Sequence, residues 1–447
     1  MTEFKTITRH ALSVLAGQLA TMAFGVTDTI VAGQFAEQSL AALSVGSAIY
    51  MSVFVGLMGV LQALLPIWAE LHGAKQSHKV GYSFRQALYL CSITMVLGMV
   101  VLLFPGSLLD WGQVPPALRP DITTYLAVLA LALPPALLFR LYSTLNQSLG
   151  KPLLVTWLQI GSLGLKIPLS IWLTFGGLGV PALGVVGCAV ATLVVNYVML
   201  LLAFYLLRTR ALYRPLHLWA RMEKPDWGTI GEFARMGVPG GLAVLVEVTS
   251  FTLMALFIAR QGTAAAASHQ IAANLAAVLY MMPLALGIAT SARTSFWLGA
   301  GQALKAKHAV SLGFRMGLFT SLCLAMLMWL LRAPLAGLYA KSPEVVNLAV
   351  SLLGWIALYH VFDAMQAIGV FVLRCFRITI APMLIYGVFL WGVGLYGGYV
   401  LAYEGLGSWP AMHSPVAFWL AGIASVVLTS VIFWVMIWQL LQREERP

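Results

Sequence analysis

Three carboxylates interrupt long apolar runs of the sequence: Asp28 within residues 11–32, Glu247 within 237–259 and Asp363 within 346–372. A charge at hydrocarbon depth costs about 2.5–3.5 kcal/mol on insertion scales, so such a residue faces a partner or a wet cavity. Left unpaired, a buried carboxylate takes up a proton. Ringed by oxygens it ligates Na⁺, and in either setting it attracts an organic cation. A site held by ion or by substrate but not by both, with each form favouring a different conformation, couples two fluxes. The other twelve of the 15 acids fall in loops, at the termini or near predicted helix ends.

The neighbours of these acids extend the chemistry. Tyr359 precedes Asp363 by four positions, one helical turn, which places its hydroxyl on the same face. Glu247 and Asp363 both lie in the second half, and a shared site would make them titrate as a unit. Bases inside apolar runs are scarce: Lys166 and Arg140 in the first half, and Arg293 in the second. That scarcity weighs against a purely structural pairing of the acids. Gln270 and Asn274 recur at one-turn spacing after His269 and form a polar stripe, while His269 itself reads as a packing residue. Tyr280, Met281 and Met282, just before Pro283, offer a ring face and polarizable sulfur to a flat cation.

The elements that must position these groups are membrane helices. Sixty per cent of the 447 residues are hydrophobic and 9 % are charged, and the mean hydropathy is +0.89. No soluble domain of this length needs such a core. Apolar stretches long enough to cross about 30 Å of hydrocarbon recur twelve times: 11–32, 41–70, 82–104, 121–148, 155–175, 185–207, 236–259, 268–297, 309–331, 346–373, 381–402 and 415–440. The second and eighth exceed a span and imply a tilted or interfacial turn. With both termini cytoplasmic, the outer segments hold only Arg119, Arg260, Arg332 and Lys341 of the 26 Lys and Arg residues; apart from the three intramembrane bases, the rest are inside. The net charge of +11 thus follows topology. Spread through short loops, it forms no stripe for nucleic acid. Cys91, Cys188, Cys323 and Cys375 lie in or at the ends of spans without C-x-x-C spacing, which opposes a disulfide framework or a zinc site. The first apolar run lacks an A-x-A cleavage pattern and carries Asp28, so it is retained as a helix.

The longest polar interval, 208–235, holds six basic residues, Pro215 and Pro225, and separates six helices from six. The expected organisation is residues 1–207, a cytoplasmic linker 208–235, and residues 236–447. A shift of 226 positions carries Gly73-Ala74-Lys75-Gln76 onto Gly299-Ala300-Gly301-Gln302, which suggests an internal duplication with the substrate path between the halves.

The run Gly179-Val180-Pro181-Ala182-Leu183-Gly184-Val185-Val186-Gly187-Cys188-Ala189-Val190-Ala191-Thr192 resembles the turn between helices 5 and 6 of the multidrug and toxic compound extrusion family, NorM-like branch. Asp28 in GVTDTIVAG, Glu247, Ser268-His269-Gln270, and Tyr359 with Asp363-Ala364-Met365-Gln366 fit the same branch, and the likeness runs from about residue 10 to 440. The resemblance implies an all-α polytopic membrane protein of two pseudo-symmetric six-helix lobes around a central cavity. It also implies export of organic cations by Na⁺ or H⁺ antiport, without a cofactor, by a monomer in the bacterial inner membrane. Glu247 and Asp363 would be its C-lobe cation pair and a possible Na⁺ site. Asp28, Thr192 and the positions of Lys166 and Ser170 would form a polar N-lobe site. Family members usually carry Asn at the position of Lys166 and Asn or Asp at that of Ser170. Here an ammonium replaces an amide, which opposes Na⁺ in that lobe and points to a Lys166–Asp28 ion pair, unless Lys166 snorkels away to an interface.

A flippase for a lipid-linked anionic glycan is the nearest competing transporter, and it calls for several bases in the cavity where this chain has three deep acids. An enzyme needs a catalytic set such as H-E-x-x-H or G-x-S-x-G, and the sequence offers none. A receptor or scaffold predicts no gradient-driven flux.

Overall fold

The computed structural model describes residues 2–111, 114–177 and 179–443; residues 444–447, with Arg446 of the predicted inner basic set, lie outside the described residues. In hydrocarbon every backbone N–H and C=O must be satisfied within its own segment, and the apolar runs accordingly form helices. Among the described residues twelve of them are long and apolar enough to cross a membrane: α1 (Glu3–Phe35), α2 (Glu37–Gly73), α3 (Ser77–Leu103), α4 (Arg119–Ser148), α5 (Leu153–Phe175), α6 (Val185–Thr209), α7 (Trp227–Ala259), α8 (Thr263–Gly299), α9 (Ala303–Tyr339), α10 (Pro343–Cys375), α11 (Ile380–Glu404) and α12 (Val416–Gln442). The expected turn in the second span is present, where α2 breaks at Ala63–Leu64 just ahead of Pro66. The eighth continues unbroken through Pro283. In α11, residues Gly387–Tyr396 and Val400–Glu404 wind as π-helix. All four cysteines are free thiols.

Two compact units emerge: Ala16–Gly241, and Leu242–Pro447 together with Met1–Leu15. These limits fall inside α1 and α7, so each of those helices begins in one unit and ends in the other. The two breakpoints, Leu15 and Gly241, are 241 − 15 = 226 positions apart, the shift that aligns the sequence halves.

The duplication is visible in backbone hydrogen bonds. After α2, the N–H groups of Ala74, Lys75 and Gln76 donate to the carbonyls of Glu70, His72 and Leu71; after α8, those of Ala300, Gly301 and Gln302 donate to Phe296, Leu298 and Trp297. The closing residue of each turn is left-handed, Lys75 at φ 58° and Gly301 at φ 68°, as this helix C-terminal motif requires. The α5–α6 and α11–α12 turns also match. Gly177 pairs reciprocally with Val180 in the first, and Leu406 with Trp409 in the second.

Between α6 and α7 the chain forms a strap against α3. The strap opens with a 3₁₀ turn at Ala211–Leu216. Tyr82, Arg85, Gln86 and Tyr89 line one face of α3 at helical spacing. Arg85 grips Glu223 with Nε at 2.7 Å and Nη2 at 2.5 Å, and donates to the His217 carbonyl at 2.6 Å. Gln86 donates to the Lys224 carbonyl and accepts from the Asp226 N–H, and the Tyr89 hydroxyl donates to the Glu223 carbonyl at 2.8 Å. Gly81 is obligatory here, since a Cβ would collide with the Leu216 carbonyl. Asp226 then caps α7, accepting from Gly228 N at 3.0 Å and Thr229 Oγ1 at 2.5 Å.

Candidate functional site

In the first unit α5 presents Lys166, Ser170 and Thr174 as one buried stripe at four-residue spacing. Lys166 is fully buried and does not snorkel. Its Nζ lies 2.7 Å from Asp28 Oδ1 and donates to Thr192 Oγ1 at 2.7 Å and to the Cys188 carbonyl at 2.9 Å. An ammonium has three N–H donors, and here all three are used. Ser170 Oγ donates to Asp28 Oδ1 at 3.1 Å, and Thr192 Oγ1 donates to the Cys188 carbonyl at 3.0 Å. The cradle depends on α5 and α6 touching closely. Gly187 provides this, because a Cβ there would stand 2.6 Å from the Leu173 backbone. The four residues Asp28, Lys166, Ser170 and Thr192 thus form one closed, charge-balanced group. Breaking such a pair by removing one member strands the other charge at a cost of about 3–5 kcal/mol.

The second unit arranges its acids differently. Glu247 of α7 lies within electrostatic reach of Tyr280 on α8 and of Asp363 and Arg374 on α10. Asp363 on α10 is buried, with 5 % of its surface exposed, and accepts from Gln366 Nε2 at 2.9 Å. The donor to Asp363 is neutral, while the buried Arg374 guanidinium acts on Glu247 through its charge. Tyr359 stands one turn before Asp363, close enough to both acids to feel their charge. Its ring packs edge-on against Trp419 at 5.5 Å and Phe251 at 6.2 Å between centroids. His269 is buried 5.8 Å from the Trp419 ring, a packing position.

The structure therefore gathers Glu247, Asp363, Tyr280 and Tyr359 around one place. Gln270 and Asn274 are both exposed and bond to each other at 3.1 Å. Met282 follows Tyr280 by two positions, which turns it to another face of α8. Among the described residues no group of three or more His, Cys, Asp or Glu gathers in metal-binding fashion. Two contributors escaped the sequence reading. The Cys188 carbonyl is a backbone atom that no motif exposes. Gln366 was legible, since it lies three positions after Asp363 and so on the same helix face.

Twelve membrane-length helices with ionisable groups inside each unit define a polytopic membrane protein whose interior handles charge. The chain belongs to the MatE family, whose model matches residues 14–172 and 239–400. It is 35 % identical to a probable multidrug resistance protein NorM of Aromatoleum aromaticum, over 95 % of this chain and 91 % of that one. It is 32 % identical to the multidrug resistance protein MdtK of Pectobacterium atrosepticum, over 99 % of this chain and 97 % of that one. A crystal structure of MATE in the straight conformation superposes with a TM-score of 0.90 at 16 % identity, covering 100 % of this chain and 98 % of the other. The eukaryotic MATE transporter AtDTX14 superposes with a TM-score of 0.85 at 19 % identity, over 97 % of this chain and 95 % of the other. At those identities the two structures speak for the fold.

Proposed function

We propose that this protein is a multidrug efflux antiporter that exports organic cations in exchange for Na⁺ or H⁺. The relatives named for multidrug resistance support the substrate class. The observation that carries the coupling is the pair Glu247 and Asp363, two acids in electrostatic reach of each other, with Gln366 donating to Asp363 and Tyr280 near Glu247. Such a pair accepts a cation, whether proton, Na⁺ or drug, and two of these cannot occupy it together. Tyr359 lines the same place.

Asp28 plays a second part in this reading. Lys166 serves as its tethered counter-charge, and the pair opens when Asp28 is protonated or a substrate cation competes, while Ser170 and Thr192 steady the two partners. Gln270, Asn274, Tyr280 and Met282 are substrate contacts in the same proposal. The chain works as a monomer in the bacterial cytoplasmic membrane with both termini inside, an orientation favoured by the excess of Lys and Arg in alternate loops. Residues 1–207 and 236–447 act as two lobes joined by 208–235.

Reconstitution tests the reading. Purified protein in proteoliposomes, given a Na⁺ gradient or a pH gradient separately, should drive uptake or release of a lipophilic fluorescent cation under at least one of them. Absence of gradient-driven flux under both would remove it, and the gradient that works names the ion.

A further inference from the structure

The strap between α6 and α7 holds its charges in an unusual way. From Arg208 to Lys224 it carries Arg208, Arg210, Arg214, Arg221 and Lys224, and all five side chains are exposed. The acid of this stretch, Glu223, is turned inward and consumed by Arg85, and Asp226 just beyond is consumed by Thr229, Tyr82 and the start of α7. Among the described residues none of the five bases forms an ion pair. The clamp on α3 thus sorts the segment: its acids are engaged by protein donors and its bases are left to the surface.

The aromatic residues fix the depth of this surface. Trp219 is 47 % exposed, packs edge-on against Phe204 of α6 at 4.5 Å, and donates from Nε1 to the Leu207 carbonyl at 3.3 Å. Leu201, Phe204 and Tyr205 beside it are exposed on the apolar side of α6, the side that faces hydrocarbon. The Arg208 guanidinium lies over the Trp219 ring, 5.8 Å from its centroid. Tryptophan concentrates where hydrocarbon meets headgroup. Trp219 therefore marks the headgroup level, with Arg208 at that level and the other exposed bases in the same short connection.

We propose that the strap from Arg208 to Lys224 is a binding surface for anionic phospholipid headgroups. Apolar residues of α6 meet the acyl chains, Trp219 sits at the boundary, and the exposed bases meet the phosphates. The sign of the charge selects the lipid, since clustered bases beside a span favour anionic over zwitterionic headgroups. Because Asp226 ends the strap and caps α7, lipid held there steadies the root of the helix that carries Glu247. The inference rests on membrane embedding and is independent of the transported substrate.

The test uses the purified full-length protein in mixed micelles with phosphatidylglycerol or phosphatidylcholine. The readouts are the unfolding midpoint and the bound lipid counted by native mass spectrometry. The wild type should be stabilised by phosphatidylglycerol and not by phosphatidylcholine, and added salt should erase the difference. Replacing Arg214, Arg221 and Lys224 together by Gln should weaken phosphatidylglycerol binding on the order of 100-fold, at the usual gain per surface base. The unfolding midpoint without lipid should stay in place, because these side chains touch nothing that holds the fold. Should the triple variant not fold, Lys224→Gln and Arg221→Gln singly should each give a fraction of the same loss. Equal stabilisation by the two lipids overturns the proposal, as does an undiminished phosphatidylglycerol response in the variants. Stabilisation by glycerol phosphate equal to that by the lipid also overturns it, because the surface would then be reading free phosphate.

Discussion

The two units bury their acids in opposite company. Asp28 has a dedicated cation 2.7 Å away whose three donors are all spent. Glu247 and Asp363 have each other and the neutral donor Gln366, with Arg374 within electrostatic reach of Glu247. A closed ion pair in a dry helical interface favours one arrangement of its helices and resists a competing ion. Two neighbouring acids favour a cation between them, which is the role proposed for the second unit, whereas the first unit holds its counter-charge at contact distance.

The sharpest way to break this contrast is Asp363→Asn. The acid is buried and its loss eases burial, so the protein should fold at least as well as the wild type, yet coupled efflux in proteoliposomes should vanish. Wild-type flux in that variant would end the assignment of the second unit as the coupling site. Next in size comes the pair in the first unit. Asp28→Asn and Lys166→Asn should each lower stability, by about 3–5 kcal/mol when the stranded charge stays buried, and the double substitution should cost clearly less than the sum. Unfolding midpoints of the four proteins measure the coupling directly; additive losses would mean that the pair holds nothing together. Lys166→Asn should also gain a Na⁺-dependent stabilisation at constant ionic strength that Asp28→Asn removes, turning the first unit into something like the second.

A smaller effect sharpens the other side. If Glu247 and Asp363 serve one cation, Glu247→Gln and Asp363→Asn should be non-additive in ion-dependent stabilisation, by about 0.5–3 kcal/mol in a double-mutant cycle. Independent sites would give simple sums.

Much of this was legible in the sequence, for physical reasons that differ by element. Spans declare themselves because lipid leaves an apolar run no alternative to a helix. The duplication showed in Gly73-Ala74-Lys75-Gln76 and Gly299-Ala300-Gly301-Gln302, since a left-handed turn residue constrains local composition. Lys166 stood out because a base inside an apolar run must be answered, and the structure supplies the answer in Asp28 and Thr192. The closure of that pair by the Cys188 carbonyl was not legible, because backbone atoms carry no sequence signal. For Gln270, Asn274 and Met282 periodicity gives a face but not what lies opposite it, and the structure adds only that the first two bond to each other. The strap read as a charged linker. That its acids point inward depends on Arg85 and Gln86, about 140 positions away, which composition does not reveal.

The smallest expected effect concerns a third ion pair, Arg85–Glu223, which tests how far burial explains the contrast. Arg85 is buried, but the Glu223 side chain keeps 37 % of its exposure. Hydrogen bonding from Arg85 holds the Glu223 carboxyl below its ordinary value of 4.5. A carboxylate lowered on folding contributes stability that is present above its ordinary range and lost as pH falls through the lowered value. The unfolding midpoint of the wild type should therefore exceed that of Glu223→Gln at pH 7. The gap should narrow below about pH 4.5, where the unfolded chain's carboxyl takes up its proton, and close once the folded carboxyl is protonated as well. Water and salt reach this pair, so the gap should be about 1 kcal/mol or less, far below the penalty for breaking Asp28–Lys166. Hydrogen exchange of the amides nearest Glu223 should follow the same pH course. A gap that ignored pH would mean that the two glutamate oxygens act as neutral acceptors, and that charge holds the strap no more than Gln does. A gap as large as that of the buried pair would show that exposure does not separate the two kinds of site.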